Sequence, residues 1–330
     1  MPANRKISLF IGMIVSIAII LWITQKIDFV ELKKTFAHFE KKWLIILAII
    51  YLSTFLLRGL RAKIMLRPIK SISFSMSTAI VSIGFMANNL LPARLGELVR
   101  AFVLNRREGI SKATAISSII VERVFDGLAL LLIFGLSSKA NNICGEYQSI
   151  INRVGFLAGT IFIICFLLII IFRVKPSLLE YILVTSRILP QKIQNVIISI
   201  LHSISDSLQF LKFDLRFLLF LFLNILIWLT EGSMYLVGLY AFGLPLDPKI
   251  AYFSLALINF GLLLPSAPGY IGLFQASTIL AFAAFGLEKE IALSYSMVIH
   301  AIQFSTISIV GLSCLNLMNI SFKDVRTIST

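Results

Sequence analysis

The chain has 330 residues, 58% of them hydrophobic and 14% charged, and carries a formal net charge of +14. A mean hydropathy of +0.94 is too high for a single soluble core of this length, so a soluble enzyme or binding domain is excluded. The basic excess lies between apolar runs, where it acts as a topology signal, and no nucleic-acid partner is expected.

Apolar stretches long enough to cross a bilayer fall at about 7–23, 43–57, 72–91, 113–136, 154–172, 217–242, 250–264 and 291–318, with a further apolar piece at 269–287. Arg5 and Lys6 precede the first stretch, which lacks a small-residue cleavage site and is expected to be a retained helix rather than a leader. The expected fold is an all-α polytopic membrane protein with about six full spans and two broken or re-entrant helical hairpins. It would form a single integral membrane domain over 1–330.

The breaks share one pattern. Leu-Leu-Pro-x-x-x-Gly occurs at Leu90, Leu91, Pro92 and Gly96, and again at Leu263, Leu264, Pro265 and Gly269. Proline removes a backbone donor and clashes with the preceding turn, so in lipid it is tolerated only where the freed carbonyls meet protein, water or ligand. Paired breaks in matching positions of two halves are the mark of a transporter-like binding site.

Basic clusters set the orientation. Arg58, Arg61, Lys63, Arg67 and Lys70 read as one cytoplasmic loop, and Arg106, Arg107 and Lys112 as another. Arg173, Lys175, Arg187, Lys192, Lys212 and Arg216 mark a third. An even number of crossings between these groups puts both termini in the cytoplasm, and Cys144 and Glu288 to Glu290 outside. Lys26, Lys33, Lys34, Lys41 and Lys42 on the first external loop oppose this map, partly offset by Asp28, Glu31 and Glu40.

The halves would be about 1–172 and 217–330, related by inversion. The linker 173–216 alternates apolar and polar residues at helical spacing (Ile197, Ile198, Leu201, Ile204, Leu208, Leu211), with Pro190 as a break. It is expected to lie along the cytoplasmic interface as amphipathic helices.

Charges inside the apolar runs are the informative chemistry, because each costs about 2.5–3.5 kcal/mol at bilayer depth even on the lenient insertion scale. Glu122, Arg123 and Asp126 lie about 15 Å into their helix at 1.5 Å per residue and should face the protein interior. Arg94, Glu97 and Arg100 follow Pro92 at intervals of three, at a helix start whose free N–H groups favour an anion such as a lipid phosphate. Asn88 and Asn89 just before that break offer amide donors and acceptors to the same ligand.

The second break is less charged. Asn259 precedes Pro265, then come Ser266, Pro268, Gly269, Gly272 and Gln275. Glu231, with Asn224 and Thr230 nearby, must turn inward. His300 and Gln303 read as packed residues of the last span. Cys144, Cys165 and Cys314 have no ligand spacing, His38, His202 and His300 are scattered, and no Walker loop or catalytic motif occurs, so no metal, cofactor or catalytic residue is expected.

The run from Asn88 through Pro92, Arg94 and Glu97 to Arg100, then Glu122-Arg123-x-x-Asp126, then Pro265-x-x-Pro268-Gly269-x-x-Gly272, resembles the flippase-like family that includes the membrane domain of lysylphosphatidylglycerol synthetases. The resemblance runs over nearly the whole chain. It implies handling or flipping of lipids, aminoacylated phospholipids and lipid-carried sugars among them. Tyr270 stands where that family often has a second glycine, and Gln275 where it often has glutamate. The aminoacyl transfer of the bifunctional members belongs to a soluble domain following the membrane part. This chain runs only to Thr330 and is expected to lack it.

The leading expectation is a transporter of the plasma (inner) membrane. Its partner would be a membrane lipid with an anionic, zwitterionic or aminoacylated headgroup, held by Arg94, Arg100 and Arg123 with Glu97, Glu122, Asp126 and Glu231. The alternatives are a membrane-embedded transferase for phospholipid or polyprenyl-linked sugar, cued only by Asp28 and Glu31, and a scaffold for envelope-biosynthesis enzymes.

Overall fold

The computed structural model describes residues 14, 16–21, 23, 27–91, 95–138, 143, 145–174, 198, 214–264 and 267–320. Helices follow one another as α1 (Phe29–His38), α2 (Trp43–Leu66), α3 (Phe74–Leu90), α4 (Gly96–Glu108), α5 (Lys112–Ser138) and α6 (Gly145–Val174). After the linker come α7 (Leu215–Ala241), α8 (Pro248–Gly261), a 3₁₀ turn (Pro268–Tyr270), α9 (Leu273–Ala283) and α10 (Lys289–Leu317). No strand occurs among the described residues. Four of these helices, Trp43–Leu66, Gly145–Ile171, Leu215–Ala241 and Lys289–Leu317, are individually long and apolar enough to cross a membrane.

Helix α2 continues nine residues past the expected end at 57, and this overturns one reading. Arg58 and Arg61, assigned above to a cytoplasmic loop as topology signals, sit inside the helix and are 2% and 0% exposed. They stay there because carboxylates on α5 and α7 meet them, so their charge is compensated within the protein rather than by water. Lys70, beyond the helix, does lie near the surface and pairs with Glu108 at 3.1 Å.

Both interruptions are tight reversals. At the first, the Asn88 side-chain oxygen accepts from the Gly96 N–H at 2.8 Å, so the last turn of α3 caps the first turn of α4. The helices cross at glycines: a Cβ on Gly96 would collide with the Gly84 carbonyl and the Asn88 side chain. At the second, Gly269, Tyr270 and Gly272 all take left-handed φ values of 73°, 59° and 92°. Ser16 of the first apolar stretch closes over this loop, its hydroxyl accepting from the Ala267 N–H at 3.0 Å. Pro92, Arg94, Pro265 and Ser266 lie outside the described residues, as do Cys144 and nearly all of the linker.

The order long helix, short helix, break, short helix, long helix occurs twice, as α2 to α5 and as α7 to α10. Packing follows the same exchange: α2 lies against α7, while α3 lies against α10 and α8 against α5. The α3–α10 contact is backbone-close at Gly311, where a Cβ would lie 2.9 Å from the Ser82 carbonyl oxygen. Aromatic rings fill the α5–α8 seam, with Phe134 stacked on Phe253 at 5.2 Å. Helix α6 stands outside both units, packed mainly on α5, with Phe156, Leu157, Ile161 and Ile164 exposed.

Candidate functional site

Eight charged side chains from four helices converge at the centre of the bundle. Arg58 and Arg61 come from α2, Glu97 and Arg100 from α4, Glu122, Arg123 and Asp126 from α5, and Glu231 from α7. Four are arginines and four are carboxylates, so the formal charge of the group is zero. Such a balance is what a low-dielectric interior demands, since an uncompensated ion there costs several kcal/mol, about the whole margin of many folds.

The group has a sealed layer and an open one. In the sealed layer, Arg100 binds both Glu122 oxygens at 2.8 Å each, and Arg61 reaches Glu122 at 3.0 Å. Arg61 also pairs with Asp126 at 2.5 Å and donates to the Asn224 side-chain oxygen. Asn224 in turn donates to the Phe125 carbonyl at 2.9 Å, which fastens α7 to α5. In the open layer, Arg58 pairs with Glu231 at 2.7 Å, and Arg123 with Asp126 at 3.3 Å. Arg123 lies 4.0 Å from Glu97 and is one-third exposed.

A cavity of about 360 Å³ abuts the open layer. From the first unit, Arg58, Asn88, Asn89, Glu97, Arg123 and Asp126 line it; from the second, Glu231, Asn259, Tyr270, His300 and Gln303. The two breaks touch at its edge: Gly269 packs near the Asn89 carbonyl, and Asn89 donates to the Phe304 carbonyl at 3.4 Å. Aromatic rings make much of the remaining wall, with Phe85 and Trp228 lying 5.0 and 4.8 Å from the Arg58 guanidinium.

Seven of the residues singled out in the sequence therefore border the cavity: Asn88, Asn89, Glu97, Arg123, Asp126, Glu231 and Asn259. Arg100 and Glu122 lie behind that wall, in the sealed layer. Gln275 also stands back. Its oxygen accepts from the Gly272 N–H at 2.8 Å, and its amide nitrogen meets His300 Nδ1 at 3.2 Å. Arg94 is outside the described residues.

Sequence reasoning passed over Arg58, Trp228, Tyr51 and Tyr235, and read His300 and Gln303 as packing, yet all six line the cavity. The available signal for Arg58 was the apolar pattern that runs on through Leu60, Ala62, Ile64 and Met65 beyond it.

The model for the lysylphosphatidylglycerol synthase TM region matches residues 9–311. The chain belongs to this family. Among curated proteins it is similar to a protein of Haloferax volcanii named glycosyltransferase AglD, at 22% identity over 96% of this chain and 55% of that protein. The chain thus spans about half the length of the curated relative it matches. No solved structure matches. The family membership and the apolar helices make this a membrane protein in a lipid-related family.

The acidic pair on the first loop has structural work. Asp28 caps α1 by accepting from the Val30 and Glu31 N–H groups at 2.8 and 3.2 Å, and Glu31 pairs with Lys34 at 3.0 Å. Among the described residues no three His, Cys, Asp or Glu side chains cluster as metal ligands do.

Proposed function

We propose that this chain moves a lipid headgroup between leaflets, with the cavity between its two four-helix units as the headgroup site. The single observation that carries this reading is the meeting of both helix breaks and a charge-balanced ionic group at one chamber with walls from both units. Headgroups are expensive to carry through hydrocarbon, and a chamber lined by fixed charges and amides replaces the water they lose.

The units are read as inverted copies. Each short-helix pair folds back on itself, so each unit begins and ends on the same side of the membrane, and the single crossing of α6 between them reverses the second. Inversion supports alternating access, in which one unit rocks against the other around a fixed site. The cavity is far too small for acyl chains, which suits a site for the headgroup alone.

Proteoliposomes containing the purified chain should equilibrate a labelled phospholipid across leaflets. Arg123→Ala, Arg94→Ala and Glu122→Gln should each abolish this while folded protein remains. Equal flipping in all three removes these side chains from the mechanism. A second reading, transfer chemistry on a phospholipid or polyprenyl-linked sugar, draws on the name of the Haloferax relative. It requires a covalent change in lipid that mass spectrometry would reveal in the same vesicles.

A further inference from the structure

Helix α1 is held in place from one side. Leu32 packs with Ile27 and Leu293, and Phe39 meets Phe242 with ring centres 5.1 Å apart. The Asp28 N–H donates to Glu290 at 3.3 Å and the Glu40 N–H to the Ala241 carbonyl at 3.1 Å, so both ends are tied to the second unit. A helix of 10 residues is too short to persist in water without such docking.

The other side is apolar and basic, and the protein leaves it bare. Phe29 and Val30 are 63% and 66% exposed. Phe29, Lys33 and Ala37 follow at intervals of four, so they share one exposed strip, with Val30 beside it. The nearby acids are already taken: Glu31 by Lys34 at 3.0 Å, Glu40 by Lys42 at 2.6 Å and by the Trp43 indole N–H at 3.1 Å, and Asp28 by the start of α1. Among the described residues no carboxylate pairs with Lys33, or with Lys41 in the turn that follows the helix. Two uncompensated cations therefore flank two uncovered apolar side chains.

Neighbouring residues fix the level at which this face stands. Trp43 opens α2 and meets Tyr240, near the end of α7, edge-on at 5.1 Å. Indole and phenol rings of this kind collect at the boundary between membrane and water. Directly past Trp43 the exposed side chains of α2 are Leu44, Ile45, Ile46 and Ile49, a surface suited to hydrocarbon. Helix α1 ends just before Trp43 and so lies at headgroup level. There an apolar strip enters the acyl boundary while lysine stems extend to keep their ammonium groups among phosphates. Anionic headgroups supply the countercharge that Lys33 and Lys41 lack within the protein.

We propose that α1 is an interfacial helix whose exposed face docks on one leaflet, with Phe29 and Val30 among the upper acyl carbons and Lys33 and Lys41 on anionic lipid headgroups. This surface is separate from the central cavity, and it stands whether or not the chain moves lipid between leaflets.

The test uses the full chain in a cysteine-free background, with Phe29→Cys, Val30→Cys or Lys34→Cys labelled by an environment-sensitive fluorophore and reconstituted in phosphatidylcholine vesicles. A nitroxide on a shallow acyl carbon should quench the labels at 29 and 30 at least threefold more than the label at 34, which lies on the strip paired with Glu31. With the same nitroxide on a minor fraction of phosphatidylglycerol, quenching at 30 should be at least threefold stronger than with it on an equal fraction of phosphatidylcholine. Lys33→Gln/Lys41→Gln should make the two lipids equal without changing the melting of the protein in detergent, since both lysines are exposed and unpaired. High salt should weaken the preference in the parent.

Labels at 29 and 30 reached by aqueous iodide and not by the lipid nitroxide would overturn the leaflet as occupant and leave the face to a soluble partner. Equal quenching by the two lipids in the parent, or a preference that survives Lys33→Gln/Lys41→Gln, would overturn the assignment of these lysines to anionic headgroups.

Discussion

Arg100 holds Glu122 through two parallel 2.8 Å bonds, and neither residue faces the cavity. Glu122 also receives Arg61 at 3.0 Å and Arg123 at 3.4 Å, so three guanidiniums depend on it. Breaking a buried pair from one side costs about 3–5 kcal/mol, because the survivor is left uncompensated. Glu122→Ala should therefore lower the thermal midpoint of the detergent-purified protein much more than Arg100→Ala, which still leaves Glu122 two cations. Equal losses would mean that the network is not shared as the distances imply.

Gly96→Ala and Gly127→Ala make a second pair. A Cβ on Gly96 runs into the Gly84 backbone, whereas one on Gly127 meets the Phe162 ring, which can turn aside. Overpacking costs about 1–3 kcal/mol when nothing can move. Melting curves should show the larger drop for Gly96→Ala, and Gly127→Ala should change lipid flipping more than it changes stability.

Tyr270 holds φ at 59°, a region that costs a non-glycine residue about 1–2 kcal/mol. Tyr270→Gly should melt no lower than wild type, while Tyr270→Val, β-branched in the same conformation, should melt clearly lower. A stable Val variant would show that the loop relaxes.

Orientation is open to thiol labelling in a cysteine-free background. Cysteines at Ser138, where α5 ends, and Lys289, where α10 begins, should react from outside the cell, and one at Arg67 only after permeabilisation. Cytoplasmic labelling at Ser138 or Lys289 breaks the inverted arrangement.

Asp28→Asn tests the transferase reading with little cost to the fold, because asparagine caps a helix about as well as aspartate. Melting and flipping should both match wild type. A lipid modification present in wild type and lost in this variant would restore the transferase reading.

The helical class, both interruptions and the α5 charges were legible because each violates an apolar background in a way lipid does not forgive. Glu122 and Asp126 announce themselves by depth alone. Arg58 and Arg61 did not, since basic residues followed by Lys63, Arg67 and Lys70 look like an interfacial cluster, and their carboxylate partners lie 61 to 173 positions away. Sequence distance likewise hid Trp228, which reads as core until Asp126 is found on its indole nitrogen. The glycines of the second break could be tied to close approach, but only the left-handed backbone explains why the tyrosine between them is out of place.

Phe162 borders the cavity from α6, whose neighbouring side chains Ile161, Ile163 and Ile164 are each about half exposed. On that flank the chamber and the oily surroundings are divided by the thickness of one rod. A tethered molecule could dip its polar end behind that rod and leave its greasy anchor outside, much as a card is swiped through a reader.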